Sequence, residues 1–297
     1  MNAMKVTRTM IALYVLPCLL LFLAVVFIPI VVSVYYSFMQ WNGIGGAKWI
    51  GLHNYSIIFT KDNIFWSALS NSWKFALFSV AEIAFALWIA ILLSRYVKRS
   101  SFLVSVYFVP VILSVVIVGQ LWKNIYNPLS FGGLLNSLLT QVGLSSWTHG
   151  WLSETNTSMY AIIFIAIWQY LGYNILILYT GVQNISNDIY EAAKIDGADG
   201  IKADWYITLP LAVPVIKICV IIAVIGSLNA LDLIMVVSGG GPGHATEVIS
   251  SYMYNKTFLS MQYGYGSALS VILVVQCLVA TLVLNLIFKR SEKNALS

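Results

Sequence analysis

Three histidines, eleven acids and sixteen Lys and Arg are spread over 297 residues, and their placement restricts what the chain can catalyse. His53, His149 and His244 are scattered, so they offer neither a metal site nor a nucleophile beside its base. Cys18, Cys219 and Cys277 lie inside apolar runs, too far apart for a zinc spacing and without a disulfide framework, and read as core filler. The glycine run 239–243 lacks the G-x-x-x-x-G-K-[ST] pattern that cradles a nucleotide phosphate, and no such pattern occurs elsewhere. What remains is a set of polar side chains embedded in apolar sequence: Lys74 and Glu82; Gln120; Gln169, Tyr173 and Asn174; Ser227, Asn229 and Asp232; and Gln276. Polar groups are expensive in a membrane, so each is a candidate for a transport pathway or for a hydrogen bond between helices. Lys74 and Glu82 are eight residues apart, about 12 Å along a helix and about 80° past two full turns, so they cannot pair directly. Lys74 and Lys217 can snorkel to an interface, whereas Glu82 needs a partner on another helix or subunit, or a neutralised carboxyl.

The elements that must position these groups are membrane helices. The chain is 60% hydrophobic and 9% charged, against roughly 45–50% and 25% for a soluble domain. A crossing of about 30 Å of hydrocarbon needs about 20 apolar residues, and six stretches satisfy this, at about 11–38, 69–94, 101–122, 159–182, 209–235 and 265–288. The first is too long for a signal-peptide core and lacks a small-residue cleavage site, so it reads as a retained helix. Pro17, Pro29, Pro110 and Pro214 fall inside spans, where each removes a backbone donor and favours a kink. Lys5, Arg8, Arg95, Lys98, Arg99, Lys194, Lys202, Lys289, Arg290 and Lys293 fall on one side of this topology, and Lys48, Lys61, Lys123 and Lys256 on the other. Ten against four places both termini in the cytoplasm and the loops 39–66, 123–158 and 236–263 outside. No basic cluster supports nucleic-acid binding.

The loop 183–208 between spans four and five carries the most specific signal. Asp188 is placed to cap a short helix, with Glu191 three residues on, and Ile189, Ala192 and Ala193 share one of its faces. The adjacent alanines allow another surface to approach the backbone closely, and Gly197 ends the helix in the left-handed conformation. A second short helix is expected at about 199–206, leading to Leu209-Pro210, where proline suits the start of span five. The product is a short helix standing proud of the membrane on stiff joints.

Glu191-Ala192-Ala193, three residues, Gly197, nine residues, Ile207, one residue and Leu209-Pro210 reproduce the pattern of permease subunits of binding-protein-dependent ABC importers at every fixed position. Trp168 and Gly172, the run 238–243, and Gly264-Tyr265-Gly266 resemble the carbohydrate permeases of the maltose and glycerol-3-phosphate type, over about 11–290. The resemblance implies an all-α, six-span permease domain of the type I ABC importer fold over 1–297, multi-pass in a prokaryotic plasma membrane, without the extra spans of the long maltose-type subunit. Glu191, Ala192, Ala193, Asp196 and Gly197 would form the coupling helix, seated in a groove of the ATPase subunit. The implied partners are a second homologous permease, two ATP-binding subunits, an extracytoplasmic solute-binding protein, membrane lipid and a sugar or oligosaccharide. ATP and magnesium would belong to the ATPase partner, with no cofactor and no enzymatic chemistry in this chain.

Family resemblance puts substrate contacts on spans four to six, where Gln169, Tyr173, Asn174, Ser227 and Asn229 form the expected pathway. Amides and hydroxyls match sugar hydroxyls, while the aromatic faces of Trp168 and Tyr170 suit a pyranose ring. Asp232 is expected near the external end of span five, as pathway residue or as support for the adjacent glycine turn. The rival from another class is a proton-coupled secondary transporter using Glu82; an intramembrane enzyme is more distant.

Overall fold

The computed structural model describes residues 8–295, so Lys5, counted above for orientation, lies outside the described residues. Among the described residues, five helices are long and apolar enough to cross a membrane: Leu13–Ser37, Asn63–Tyr96, Ser158–Gln183, Ile201–Leu228 and Tyr263–Lys289. Ser100–Ile112 and Val115–Tyr126 are long and apolar enough only when taken together, and they meet at 91°, the geometry of a broken span or a re-entrant loop. In chain order we label the helices α1 (8–37), α2 (His53–Thr60), α3 (Asn63–Tyr96), α4 (Ser100–Ile112), α5 (Val115–Tyr126), α6 (Leu134–Gln141) and α7 (Ser158–Gln183). They continue as α8 (Asn187–Ile195), α9 (Ile201–Leu228), α10 (Leu231–Val237), α11 (Ile249–Tyr254) and α12 (Tyr263–Ala295).

Two expected spans are therefore corrected. The stretch 101–122 is not one rod: Leu113 and Ser114 are extended, with ψ of 138° and 147°. Pro110 contributes no N–H to the last turn of α4, and the Ser114 hydroxyl restarts the helix by accepting from the Ile117 amide at 3.3 Å. The stretch 209–235 is also broken, ending at Leu228 and resuming at Leu231. There the Asn229 side-chain amide donates to the Ile225 carbonyl at 2.9 Å, a local bond that competes with the helical ladder. Pro29 and Pro210 each follow a wider, π-type turn, Leu23–Phe27 and Asp204–Thr208, as expected where a missing N–H loosens the ladder.

The chain divides into two compact units. The first comprises the described residues up to Asp62 together with Met253–Val274. In it, α1 buries nothing from Leu13 to Tyr36, the signature of a helix whose apolar surface faces lipid or another chain. Its end is tied down by Asn54, whose amide donates to the carbonyls of Ser37 and Met39 at 2.8 and 3.0 Å. Met39–Gln40 and Lys48–Trp49 form a small antiparallel ladder, the one departure from an all-helical reading among the described residues.

The second unit, Asn63–Tyr252 with the described residues from Val275 onward, holds the helical core. One apolar cluster joins Ile83, Ala86 and Ala90 of α3 to Ile175 and Leu178 of α7 and to Cys219, Val220 and Leu228 of α9. A second joins Phe75 and Val118 to Ile162 and Ile165 of α7 and to Leu233 and Ile234 of α10. Helix α4 crosses α7 at Gly172, where any Cβ would overlap the Tyr107 carbonyl. Only glycine permits that contact between backbones.

Candidate functional site

Between the two clusters of the second unit lies a cavity of about 440 Å³, within the usual range for small-molecule sites. Glu82 and Ser79 enter its wall from α3, Tyr170, Tyr173 and Asn174 from α7, and Ser227 from α9. Both helix breaks open onto it: Val111 and Val115 flank the first, and Asn229 and Ala230 form the second, followed by Asp232. Irregular backbone at membrane depth survives where it lines a cavity, and discontinuous helices are a recurrent way of building transport sites.

Glu82 finds the partner that burial demands on α7. The Asn174 amide donates to both carboxyl oxygens, at 3.2 and 2.9 Å, with both residues buried. The Ser227 hydroxyl lies 2.8 Å from that of Ser79 and 2.8 Å from the Ala223 carbonyl. Asn229 is exposed and, besides its bond to Ile225, reaches the Cys277 sulfur at 3.5 Å. The cavity thus brings together four of the five expected pathway residues, Tyr173, Asn174, Ser227 and Asn229.

Gln169 does not join them. It is buried, outside the cavity wall, and its amide donates to the Leu113 carbonyl at 3.3 Å. The bend between α4 and α5 frees that carbonyl, and Gln169 braces it. Gln120 is exposed, and Gln276 is buried with neither amide atom partnered among the described residues. Asp232 lies in the first turn of α10 and in the cavity wall, whereas the glycine turn is held by the Ser238 hydroxyl, which accepts from the Gly240 amide at 3.3 Å, and by the Thr246 hydroxyl, which donates to the Gly241 carbonyl at 2.6 Å. Trp122, Trp151 and Phe164 help to line a second cavity of about 520 Å³, mostly apolar.

At the loop 183–208 the helix is present as α8, with one correction to its cap. Ser186, not Asp188, is the N-cap, and its hydroxyl accepts from the Asp188 amide at 3.3 Å. Asp188 instead occupies the first turn and Lys194 the last, both favourable to the helix dipole. The C-terminus closes as a Schellman turn: the Ala198 amide donates to the Ala193 carbonyl at 2.8 Å and the Gly197 amide to the Lys194 carbonyl at 3.2 Å. Gly197 has φ of 80°, and Asp196 is the C-cap. Glu191, Ala192 and Ile189 are exposed but Ala193 is buried, so the expected common face is divided between solvent and core. The separate helix expected at 199–206 is the beginning of α9, which runs unbroken from Ile201 through Pro210 into the span.

Sequence reasoning missed Ser79, the Glu82–Asn174 pair, and an ion pair between Arg95 and Asp204. The polarity of Ser79 in an apolar run was a usable signal; the pairings join residues 92 and 109 positions apart, which no local pattern encodes.

Residues 82–293 match the family described as binding-protein-dependent transport system inner membrane component. A probable ABC transporter permease protein of Bacillus subtilis, YurN, is 34% identical over 285 residues, 95% of this chain and 96% of that protein. The multiple sugar-binding transport system permease protein MsmF of Streptococcus mutans is 33% identical over 259 residues, 86% and 87% of the two chains. Among solved structures, a chain of a bacterial alginate ABC transporter in complex with an alginate pentasaccharide-bound periplasmic protein superposes with a TM-score of 0.83 at 21% identity, covering 96% of each chain.

Proposed function

Since the chain belongs to the family of binding-protein-dependent transport system inner membrane components, we propose that it forms one half of the translocation pore of an ATP-driven importer of sugars or oligosaccharides. Membership makes it a membrane subunit rather than an enzyme, and the named activity of relatives such as MsmF supports a carbohydrate cargo. The observation that carries the reading is the Glu191 helix: an intact family motif presented on a rigidly capped helix whose Glu191, Ala192 and Ile189 are free for a partner.

A second homologous permease would complete the pore, two ATP-binding subunits holding ATP and magnesium would dock on α8, and an external solute-binding protein would deliver cargo. On this reading α8 and both termini are cytoplasmic, and the subunit sits in a prokaryotic plasma membrane. ATP binding closes the ATPase pair, moves the docked helices and switches the pore between inward and outward access. Tyr173, Asn174, Ser227 and Asn229 would offer hydroxyl and amide partners to the cargo, with Tyr170 covering an apolar sugar face. Glu82 and Asp232 are the acidic side chains in the cavity wall, which suits an uncharged or amino-bearing sugar better than an acidic one. Uptake of a neutral oligosaccharide and its uronate counterpart by the reconstituted transporter measures this, and faster uptake of the uronate refutes it.

The proton-coupled alternative is not favoured, because family membership points to an ATP-driven system. The test of the main reading is Glu191→Lys in the purified complex. Reversing an exposed charge on α8 should release the ATPase subunits and abolish uptake while the chain remains inserted. Normal association with normal uptake would mean that α8 is not the docking element.

A further inference from the structure

Helix α8 is lightly attached to its own subunit. Ala193 is its one buried residue, and it is bounded by the Ser186 cap and the turn at Gly197. Its main side-chain anchor is Tyr190, which meets two other helices at a single point. The Tyr190 hydroxyl lies 3.0 Å from that of Thr208 on α9, and the Arg95 guanidinium from the end of α3 sits 4.4 Å from the centre of the Tyr190 ring. Arg95 also forms an ion pair with Asp204 on α9, with side-chain exposures of 18% and 14%. Asp204 is held from two further directions: the Tyr96 hydroxyl donates to one oxygen at 2.8 Å and the Thr208 hydroxyl to the other at 3.3 Å. A planar guanidinium can pair with a carboxylate through its edge and lie on an aromatic face at once, so Arg95 joins three helices in a geometry that the point charge of a lysine ammonium does not reproduce.

Helix α3 then runs without interruption from Arg95 to Glu82, thirteen residues or about 20 Å along the axis. Glu82 lies in the cavity wall and holds Asn174. We propose that Arg95 is a positioning residue of the transport cycle: through its joint with Tyr190 and Asp204, displacement of α8 moves α3 as a rigid lever and so reshapes the cavity at Glu82 and Asn174. This rests on the coupling role of α8 proposed above. It adds a specific route by which docking reaches the cavity: side chains outside the Glu191 motif carry the motion, in addition to the direct continuation of the chain from α8 to α9.

The test uses the complete transporter in proteoliposomes, with labelled cargo, and reads cargo imported per ATP hydrolysed and per assembled complex. Arg95→Ala should keep the ATPase subunits bound and hydrolysis running while cargo per ATP falls about tenfold, a size typical of coupling between sites. Arg95→Lys, which keeps the charge but loses the stack on Tyr190, should fall part of the way. The exchange Arg95→Asp with Asp204→Arg should transport better than either single change. A residue that merely supports folding would lower the amount of complex and leave the ratio unchanged. If Arg95→Ala does not assemble, Tyr190→Leu preserves the ion pair and carries the same expected drop. A wild-type ratio in either assembled variant overturns the proposal. Loss of the coupling reading itself is a separate outcome, seen when Glu191→Lys retains both the ATPase subunits and normal uptake.

Discussion

Replacing Asn174 by Leu removes the amide nitrogen that donates to both oxygens of the Glu82 carboxyl, at a position where both residues are buried. Leaving one buried polar group without its partner costs about 1–3 kcal/mol, whereas replacing both partners with apolar groups of similar shape is close to neutral. Glu82→Leu alone orphans the Asn174 amide, and Asn174→Leu alone orphans the carboxyl. The two single changes should therefore each destabilise the purified chain by about 1–3 kcal/mol, and the double change should recover most of that loss, so the coupling in the double-mutant cycle approaches the sum of the two single losses, about 2–6 kcal/mol. The assay is unfolding of the detergent-solubilised chain, followed by the loss of monodisperse protein for wild type, both singles and the double variant. Uptake by the assembled transporter separates a second role: the double variant should be stable yet deficient in transport, because Asn174 also lines the cavity. Additive single effects would refute the pairing, and a stable double variant with wild-type uptake would refute the role of Asn174 in the pathway.

Tyr173→Ala and Asn229→Leu should lower uptake per assembled transporter by up to about tenfold, the loss of one hydrogen bond of about 0.5–1.5 kcal/mol, with little change in assembly; equal uptake in both variants rules out a direct cargo contact. Gly172→Ala should destabilise the second unit, because the added Cβ overlaps the Tyr107 carbonyl: overpacking costs about 1–3 kcal/mol against about 1 kcal/mol gained in helix propensity, and a stabilised variant would show that α4 and α7 do not cross there. Cysteines introduced at Ser146 and Gly243 should react with a membrane-impermeant thiol reagent added outside intact cells and one at Asp199 should not; the reverse pattern inverts the topology.

The spans were legible in the sequence because crossing a membrane is a requirement on length and composition, both readable without knowing any contact. Helix α8 was legible for a related reason: its end depends on Gly197 and backbone bonds spanning five residues or fewer. Its start was harder to locate, because Ser186 and Asp188 are both competent caps and the choice depends on where α7 ends. The breaks inside 101–122 and 209–235 were invisible for the opposite reason. A run that is apolar on every side shows no periodicity to lose, and Pro110 signalled a bend without its angle. Gln169 and Tyr173 are four residues apart and so share a helix face, yet Gln169 turns to the Leu113 carbonyl and Tyr173 to the cavity. That division exists only because the bend exposes a carbonyl to Gln169. In the same way Asn174 could be named as polar and costly from its neighbours in sequence, but its engagement with Glu82 required the packing of α7 on α3. The sequence determined which residues cross the membrane and which short helix can present the family motif, since those follow from hydration and local backbone bonding. Tertiary packing alone decided which polar groups face the cavity, which brace a bend and which join α8 to α3, because each of those pairings is chosen by which buried donor has an acceptor within reach.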